Sequence, residues 1–216
     1  MASNPISGLI PRGSLGLKLL LVCLLVLVMG IPLLVVNRTL ARAEENRGKT
    51  ILFWQTRVGR KGRCFAFPKF RSMVVNAEDL LEKVKGHNHH GDDGITFKMK
   101  RDPRVTPIGR FIRKYSIDEL PQLINVLKGD MSLVGPRPER PVFIQKFKKT
   151  IPNYHTRHAV KAGITGWAQV NGWRGNTSLR KRVQFDLYYI THWTPWLDLR
   201  ILWLTVWKGL VSRNAY

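Results

Sequence analysis

Leu15 to Val36 reads LGLKLLLVCLLVLVMGIPLLVV, 22 residues with a single charge at Lys18. As a helix this run extends about 33 Å, enough to cross the hydrocarbon of a bilayer. A cleaved signal peptide fits less well, because no small-residue cleavage site follows the run and the cationic stretch NRTLARAEENRGK comes next. Pro32, just after Gly30, removes a backbone hydrogen bond inside the run and predicts a kink or break there. Arg12 precedes the run, Lys18 lies in its first turn, and Arg38 and Arg42 follow it, so the cation bias that orients a one-way crossing is weak. Two readings stay open on these grounds: a broken helix that enters and leaves one leaflet, and an ordinary single span. Residues 1–14, MASNPISGLIPRGS, resemble an appended protease-cleavage linker, so the fold is expected to begin at Leu15.

The chain of 216 residues has room for one domain of about 150 residues plus attachments. It carries 36 Lys and Arg against 14 Asp and Glu, a formal net charge of +22. That excess exceeds what solubility needs and implies polyanionic partners: nucleic acid, an anionic membrane surface or phosphorylated substrates. Cys23 lies in the apolar run and Cys64 in a basic loop, which is neither a disulfide framework nor a zinc spacing. A reducing compartment fits the folded part.

Residues 51–75 alternate β-favouring runs around the basic turn VGRKGR and predict a short hairpin. A helix over AEDLLEKVK follows. The segment HNHHGDDG, residues 87–94, offers His87, His89, His90, Asp92 and Asp93 to a metal, but its Gly-rich polar setting fits a solvated loop better. Near the C-terminus, Trp193, Trp196, Trp203 and Trp207 fall within the last 24 residues. On a helix over 196–212, Asp198, Thr205, Lys208 and Ser212 form a narrow polar strip and nearly all else is apolar. Tryptophan favours the headgroup level of a membrane, so an interfacial helix is expected, with a buried core helix as the alternative.

Against the cationic background, SIDELPQLINVLK places Asp118 and Glu119 at the mouth of an apolar helix. Leu120, Leu123, Ile124 and Leu127 share one helical face, expected to be buried, with Pro121 in the first turn and Gly129 at the end. Ser116 and Glu119 have the S-x-x-E spacing of a capping box, so the pair admits a purely structural role. Chemistry is the competing reading. A helix N-terminus beside Arg113 and Lys114 favours an ionised Asp118, and two adjacent carboxylates can present hard oxygens to Mg²⁺. GPRPE, residues 135–139, adds a rigid turn that would hold Arg137 forward toward a phosphate.

The stretches QTRVGRKGRCFAFPKFRSM (55–73), DPRVTPIGRFIRKYSIDELPQLINVLKGDMSLVGPRPE (102–139), GITGWAQVNGWRGNT (163–177) and FDLYYITHWTPWLDLRILWLTVWKG (185–209) resemble the bacterial sugar transferases, the monotopic polyprenyl-phosphate phosphoglycosyl transferases. The resemblance implies transfer of a sugar 1-phosphate from a UDP-sugar to undecaprenyl phosphate with release of UMP, Mg²⁺ dependence, and a re-entrant helix. By position, the family's dyad falls on Asp118, the expected nucleophile and a metal ligand, and on Glu119, expected to support metal and phosphate binding. Arg113, Arg137, Lys69, Arg71 and Asp186 match basic and acidic motif positions implied to contact substrate or support the site. Two departures stand out: Ile31-Pro32 replaces the family's frequent Ser-Pro break, and the usual Gly-Pro ahead of the FWQ strand is missing. Larger members carry further transmembrane helices and another domain ahead of this core, so the chain is expected to be a minimal enzyme or the catalytic part of a longer one.

The expectation is therefore an α+β, predominantly helical, membrane-associated domain. It has a re-entrant helix over 15–36, short β-hairpin elements, and a catalytic domain over 37–216 ending in an interfacial helix over 196–212. The implied enzyme uses Mg²⁺, a UDP-sugar (glucose or galactose favoured), undecaprenyl phosphate and membrane phospholipids. It sits on the cytoplasmic face of the bacterial inner membrane, initiates exopolysaccharide, capsule or O-antigen type glycan assembly, takes no nucleic acid, and leaves a homodimer open. A membrane-tethered nucleic-acid binder and a membrane pyrophosphatase of UDP-sugars are the alternatives. The first has no reader motif and leaves the Asp118–Glu119 pair unexplained.

Overall fold

The computed structural model describes residues 51–84, 102–174 and 177–211. The expected re-entrant helix and the HNHHGDDG loop lie outside these residues. Strands β1 (Leu52–Val58) and β2 (Cys64–Phe70) form the predicted antiparallel hairpin, in register from Leu52 opposite Phe70 to Val58 opposite Cys64. Lys61 and Gly62 make its turn in the left-handed region, at φ of 55° and 76°. Pro68 fits β2 because a two-stranded sheet has only edge strands. Helix α1 (Asp79–Val84) follows.

Helix α2 (Pro107–Lys114) starts by the expected chemistry: the Thr106 hydroxyl accepts from Gly109 N at 2.9 Å and Pro107 opens the first turn. A 3₁₀ segment over Ile117–Gln122 then runs into helix α3 (Leu123–Lys128), which ends as predicted at Gly129, with φ of 84°.

Two expectations for this stretch fail. Ser116 sits in the left-handed region and its side chain caps nothing, so no capping box forms, and the Glu119 carboxylate reaches across to other segments. The leucine-rich face is also not the buried one. Ile124 and Leu127 are 41% and 50% exposed, while Asp118, Glu119, Gln122 and Asn125 are buried. Pro121 lacks an N–H and disfavours α geometry at Leu120, so the segment tightens from 3.6 toward 3.0 residues per turn and the faces rotate. Part of the polar face finds partners inside, Glu119 among cations and Asn125 donating to the Ala66 carbonyl of β2 at 2.8 Å, whereas the fully buried Gln122 amide has no hydrogen-bond partner.

Strand β3 (Met131–Val134) pairs in parallel with β4 (Ala162–Thr165). Their crossover contains the GPRPE turn, helix α4 (Pro141–Thr150) and a 3₁₀ segment over Tyr154–Ala159. Helices α5 (Trp167–Val170), α6 (Leu179–Thr191) and α7 (Pro195–Val211) complete the described chain. The fold is thus α+β, as expected; of its two small sheets the hairpin was predicted and the parallel β3–β4 pair was not. Met131 joins a core cluster with Phe67, Val126 and Ala162, whereas Val134 joins another with Val170, Tyr189 and Ile201. A third cluster packs Val58 of the hairpin against Ile144, Phe147, Tyr154 and Val183.

Among the described residues no helix is long and apolar enough to cross a membrane. Helix α7 matches its predicted span, with its narrow polar strip turned toward the protein. Asp198 accepts from Tyr189 Oη at 2.8 Å and Trp193 Nε1 at 3.1 Å, the hydroxyls of Thr205 and Thr165 meet at 2.7 Å, and Lys208 donates to the Val170 carbonyl. Trp196, Leu199, Trp203, Val206 and Trp207 are exposed on α7.

Glycine is required where β4 meets the GPRPE turn. A Cβ at Gly163 would lie 2.1 Å from Gly135 N and 2.5 Å from Thr165 O, both backbone atoms that cannot swing away. Gly163→Ala should therefore cost about 2 kcal/mol or more of stability, read from denaturant unfolding of the purified protein. A change within about 0.5 kcal/mol would mean that this junction yields.

Candidate active site

Asp118 and Glu119 open the 3₁₀ segment, and cations from two other elements converge on them. Lys69, near the end of β2, donates to Glu119 Oε1 at 2.8 Å. Arg137, from the turn after β3, forks onto the same carboxylate, Nη1 to Oε2 at 2.9 Å and Nη2 to Oε1. A bidentate fork of this kind fixes both partners in angle as well as distance. Lys69 Nζ also lies 3.8 Å from Asp118 Oδ2, beyond hydrogen-bond reach. On α2, Arg113 donates through Nε to Ser72 Oγ at 2.8 Å, and its charge acts on Asp118.

The two neighbouring carboxyls are driven in opposite directions. Burial alone would raise both, but Arg137 and Lys69 hold Glu119 well below the usual carboxylate range. Asp118 ends above its ordinary value: burial raises it, Lys69 opposes that, and the Glu119 charge raises it again. Burial also lowers the Lys69 ammonium, against the pull of Glu119. The pair therefore holds one firmly ionised, hydrogen-bonded carboxylate and one strained, weakly partnered one.

Behind this cluster lies a second layer. Arg157 is 2% exposed and donates through Nη2 to Asp186 Oδ2 at 2.7 Å and to the Arg137 carbonyl at 2.8 Å, and through Nη1 to Tyr154 Oη at 3.1 Å. Burial pushes the Asp186 carboxyl up while Arg157 pulls it down. Glu139 lies between Arg182, 3.1 Å away, and Arg57, 3.6 Å away. Although burial raises Glu139, Arg182, Arg157 and Arg57 bring it below its ordinary value.

Of the residues singled out in sequence, the fold gathers Asp118, Glu119, Lys69 and Arg137 into one cluster and sets Arg113 beside it. Asp186 stands one layer back as the counter-ion of Arg157. The Arg71 guanidinium lies over the Phe53 ring, 5.8 Å from its centroid, on the hairpin. Sequence reasoning missed Arg57, Arg157, Arg182 and the role of Glu139. Glu139 was legible as the last residue of GPRPE, whereas nothing in NYHTRHAV distinguishes Arg157 from the other surplus cations.

The donor set was tested for Mg²⁺ on its chemistry. Among the described residues no group of three or more His, Cys, Asp and Glu side chains gathers into a closed metal cage. Mg²⁺ commonly uses one or two carboxylates and completes its shell with phosphate oxygens and water. Asp118 fits that use, because its one cation contact among the described residues is the loose approach of Lys69. Glu119 Oε2 accepts from Arg137 and keeps a second lone pair.

The family model described as bacterial sugar transferase matches residues 17–212, and the chain belongs to that family. It is 46% identical over 170 residues to the UDP-glucose:undecaprenyl-phosphate glucose-1-phosphate transferase of Escherichia coli (strain K12), covering 77% of this chain and 34% of the relative. It is 43% identical over 171 residues to the undecaprenyl-phosphate galactose phosphotransferase of Salmonella typhimurium, covering 78% of this chain and 35% of that protein. A third relative, the UDP-N-acetylgalactosamine-undecaprenyl-phosphate N-acetylgalactosaminephosphotransferase of Aeromonas hydrophila, is 39% identical over 214 residues, 98% of this chain and 46% of the relative. The chain thus spans between a third and a half of the length of these curated relatives.

Opposite pKa shifts predict opposite effects on stability when divalent cations are chelated. Glu119 is depressed below its ordinary 4.5, so its contribution is present above that value and is lost as pH falls through the lower folded value. Glu119→Gln should cost about 3 kcal/mol or more near neutral pH, since it leaves two half-buried cations without their buried carboxylate, and should flatten the acid limb of the stability profile. Asp118 is raised, so its ionisation opposes folding as pH rises, and Asp118→Asn should be at least as stable as wild type near neutral pH. Thermal unfolding across acid to neutral pH measures both, and a marked loss for Asp118→Asn would reverse the assignment.

Proposed function

We propose that this chain is a phosphoglycosyl transferase that moves a hexose 1-phosphate from a UDP-sugar to undecaprenyl phosphate and releases UMP, initiating exopolysaccharide, capsule or O-antigen type glycan assembly. The observation that carries the reading is the division of labour in the dyad: Glu119 is saturated by Lys69 and Arg137, while Asp118 beside it is buried and weakly partnered. A carboxylate left without strong hydrogen bonds retains its nucleophilicity, and a buried site keeps competing water away. The printed names of the relatives support the substrates, a UDP-sugar and undecaprenyl phosphate. Glucose is the first choice of sugar and galactose the second.

In the proposed chemistry an Asp118 carboxylate oxygen attacks the β-phosphorus of the UDP-sugar. The bond from that phosphorus to the bridging oxygen breaks, and UMP leaves with the electron pair. The phosphate oxygen of undecaprenyl phosphate then attacks the same phosphorus, and Asp118 departs as the free carboxylate. Arg113 and Lys69 lower the cost of ionising Asp118. Arg137, locked by Glu119, supplies a fixed charge beside the reacting phosphate. A Mg²⁺ held by Asp118 and Glu119 would supply charge neutralisation on the diphosphate.

The proposed location is the cytoplasmic face of the bacterial inner membrane, and the exposed indoles of α7 support it. Trp203 and Trp207 stack with ring centroids 5.8 Å apart on that helix. Replacing both by Ala should weaken partition onto anionic liposomes without disturbing the dyad, since a large aromatic buries roughly 150 to 250 Å². If the double variant unfolds with its partition unchanged, the helix belongs to the core instead.

The covalent route has its own test. With Mg²⁺ and UDP-sugar but no lipid acceptor, the enzyme should release about one UMP per active site and gain a hexose phosphate on the peptide containing Asp118. Asp118→Asn should lower turnover by several orders of magnitude. UMP that appears only with undecaprenyl phosphate, with no adduct trapped, would exclude the two-step route. Continuous UMP release that leaves added lipid unmodified would identify a pyrophosphatase.

A further inference from the structure

The turn that carries Arg137 is unable to hold itself together. Pro136 and Pro138 have no N–H, so two of the donors that would close a turn internally are missing. Its carbonyls are instead taken one by one by other segments. Gly163 N donates to the Pro136 carbonyl at 3.0 Å and Val58 N to that of Glu139 at 3.0 Å. Between these two backbone bonds, the central carbonyls are each held by an arginine: Arg157 Nη2 donates to the Arg137 carbonyl at 2.8 Å and Arg57 Nη1 to the Pro138 carbonyl at 3.2 Å.

Each of these arginines faces a carboxylate, Arg57 sharing its one with Arg182. Arg157 is held by Asp186 at 2.7 Å, and Arg57 lies 3.6 Å from Glu139. We infer that Arg57 and Arg157 are a pair of positioning residues for the proposed transfer, clamping the two central carbonyls of the GPRPE turn so that the Arg137 fork meets Glu119 in one fixed orientation. This rests on the reading of the dyad above and assigns neither arginine a contact with substrate. It also gives Asp186 a role: it orients Arg157, which in turn orients Arg137.

Guanidinium is the group such a clamp needs. Its planar donors let Arg157 bond a carboxylate, a carbonyl and a phenol at once, whereas an ammonium on a shorter reach cannot match all three in one geometry. Replacing arginine by lysine therefore retains the buried charge that Asp186 or Glu139 requires while loosening the turn.

The test is a double-mutant cycle on UMP release by the full chain in detergent or nanodiscs, with radiolabelled donor. Arg157→Lys should lower kcat about tenfold to a hundredfold with KM for the UDP-sugar changed less than about threefold, as a misplaced catalytic charge does. In an Arg137→Lys background, where the fork is already lost, the same change should cost less than about twofold more. Equal losses in the two backgrounds, or no loss in the wild-type one, would overturn the clamp. If Arg157→Lys fails to fold, Arg57→Lys decides by the same cycle, because Glu139 then keeps Arg182 at 3.1 Å. Hydrogen exchange of the 135–139 peptide judges the clamp without turnover: it should quicken in either lysine variant, and unchanged exchange refutes it. Absence of UMP from the wild-type enzyme would instead sink the transferase reading and leave the exchange result standing.

Discussion

The fork from Arg137 to Glu119 is the contact on which the site depends. It joins the turn after β3 to the 3₁₀ segment before α3, 18 residues apart in sequence, and with Lys69 it ties both to the hairpin. A buried ion pair of this kind is weak evidence for stability, because desolvation offsets much of the attraction. Its value here is geometric. A carboxylate with both oxygens occupied cannot rotate, so its neighbour Asp118 is held on a backbone that has no freedom to turn it toward solvent. The glycine junction of Gly135 and Gly163 and the bond from Gly135 N to Thr165 O then fix the β3 turn from behind.

Local chemistry was legible in the sequence wherever a residue's own covalent structure decides the outcome. The Gly129 stop and the VGRKGR hairpin turn both formed as read. So did the grouping of Asp118, Glu119, Lys69 and Arg137, although that followed from the resemblance to a family and not from spacing. Burial was misread. The rule that places leucine inside and carboxylates outside assumes an unpaired polar group, and on this face Glu119 is paired by Lys69 and Arg137 and the Asn125 amide nitrogen by a β2 carbonyl, all from segments distant in sequence. Arg157 was invisible for the complementary reason. Its importance lies entirely in three partners at Tyr154, Asp186 and the Arg137 carbonyl, which only the fold brings together.

The same inversion recurs on α7, where polar side chains face Thr165, Tyr189 and Val170, and exposed tryptophans mark the remaining surface. A water-facing helix would expose Asp198, Thr205 and Lys208 and bury its indoles. Here Asp198 and Thr205 are half-buried, Lys208 stays exposed while its ammonium reaches the Val170 carbonyl, and three indoles are exposed, at a cost in water that an apolar surrounding would remove. Phe111, Tyr115, Ile124 and Leu127 are likewise exposed on or beside the helices that flank the dyad. The outward apolar residues thus include several close in sequence to the reactive carboxylates, as expected of an enzyme whose proposed acceptor is a lipid.

Charge balance adds a constraint on the proposed chemistry. Asp118 and Glu119 carry two negative charges, and Lys69 and Arg137 two positive ones, so the inner cluster is neutral before any substrate enters. A nucleotide diphosphate brings further negative charge into a site where unpaired charge is costly. The outer layer sets Arg57, Arg157 and Arg182 against Asp186 and Glu139, so it carries one positive charge beyond its own balance. Arg113 offers one more positive charge from α2, and its Nε is bonded to Ser72. A divalent cation of the kind proposed would add its charge at the diphosphate itself, where the hard carboxylate oxygens of Asp118 and Glu119 would hold it.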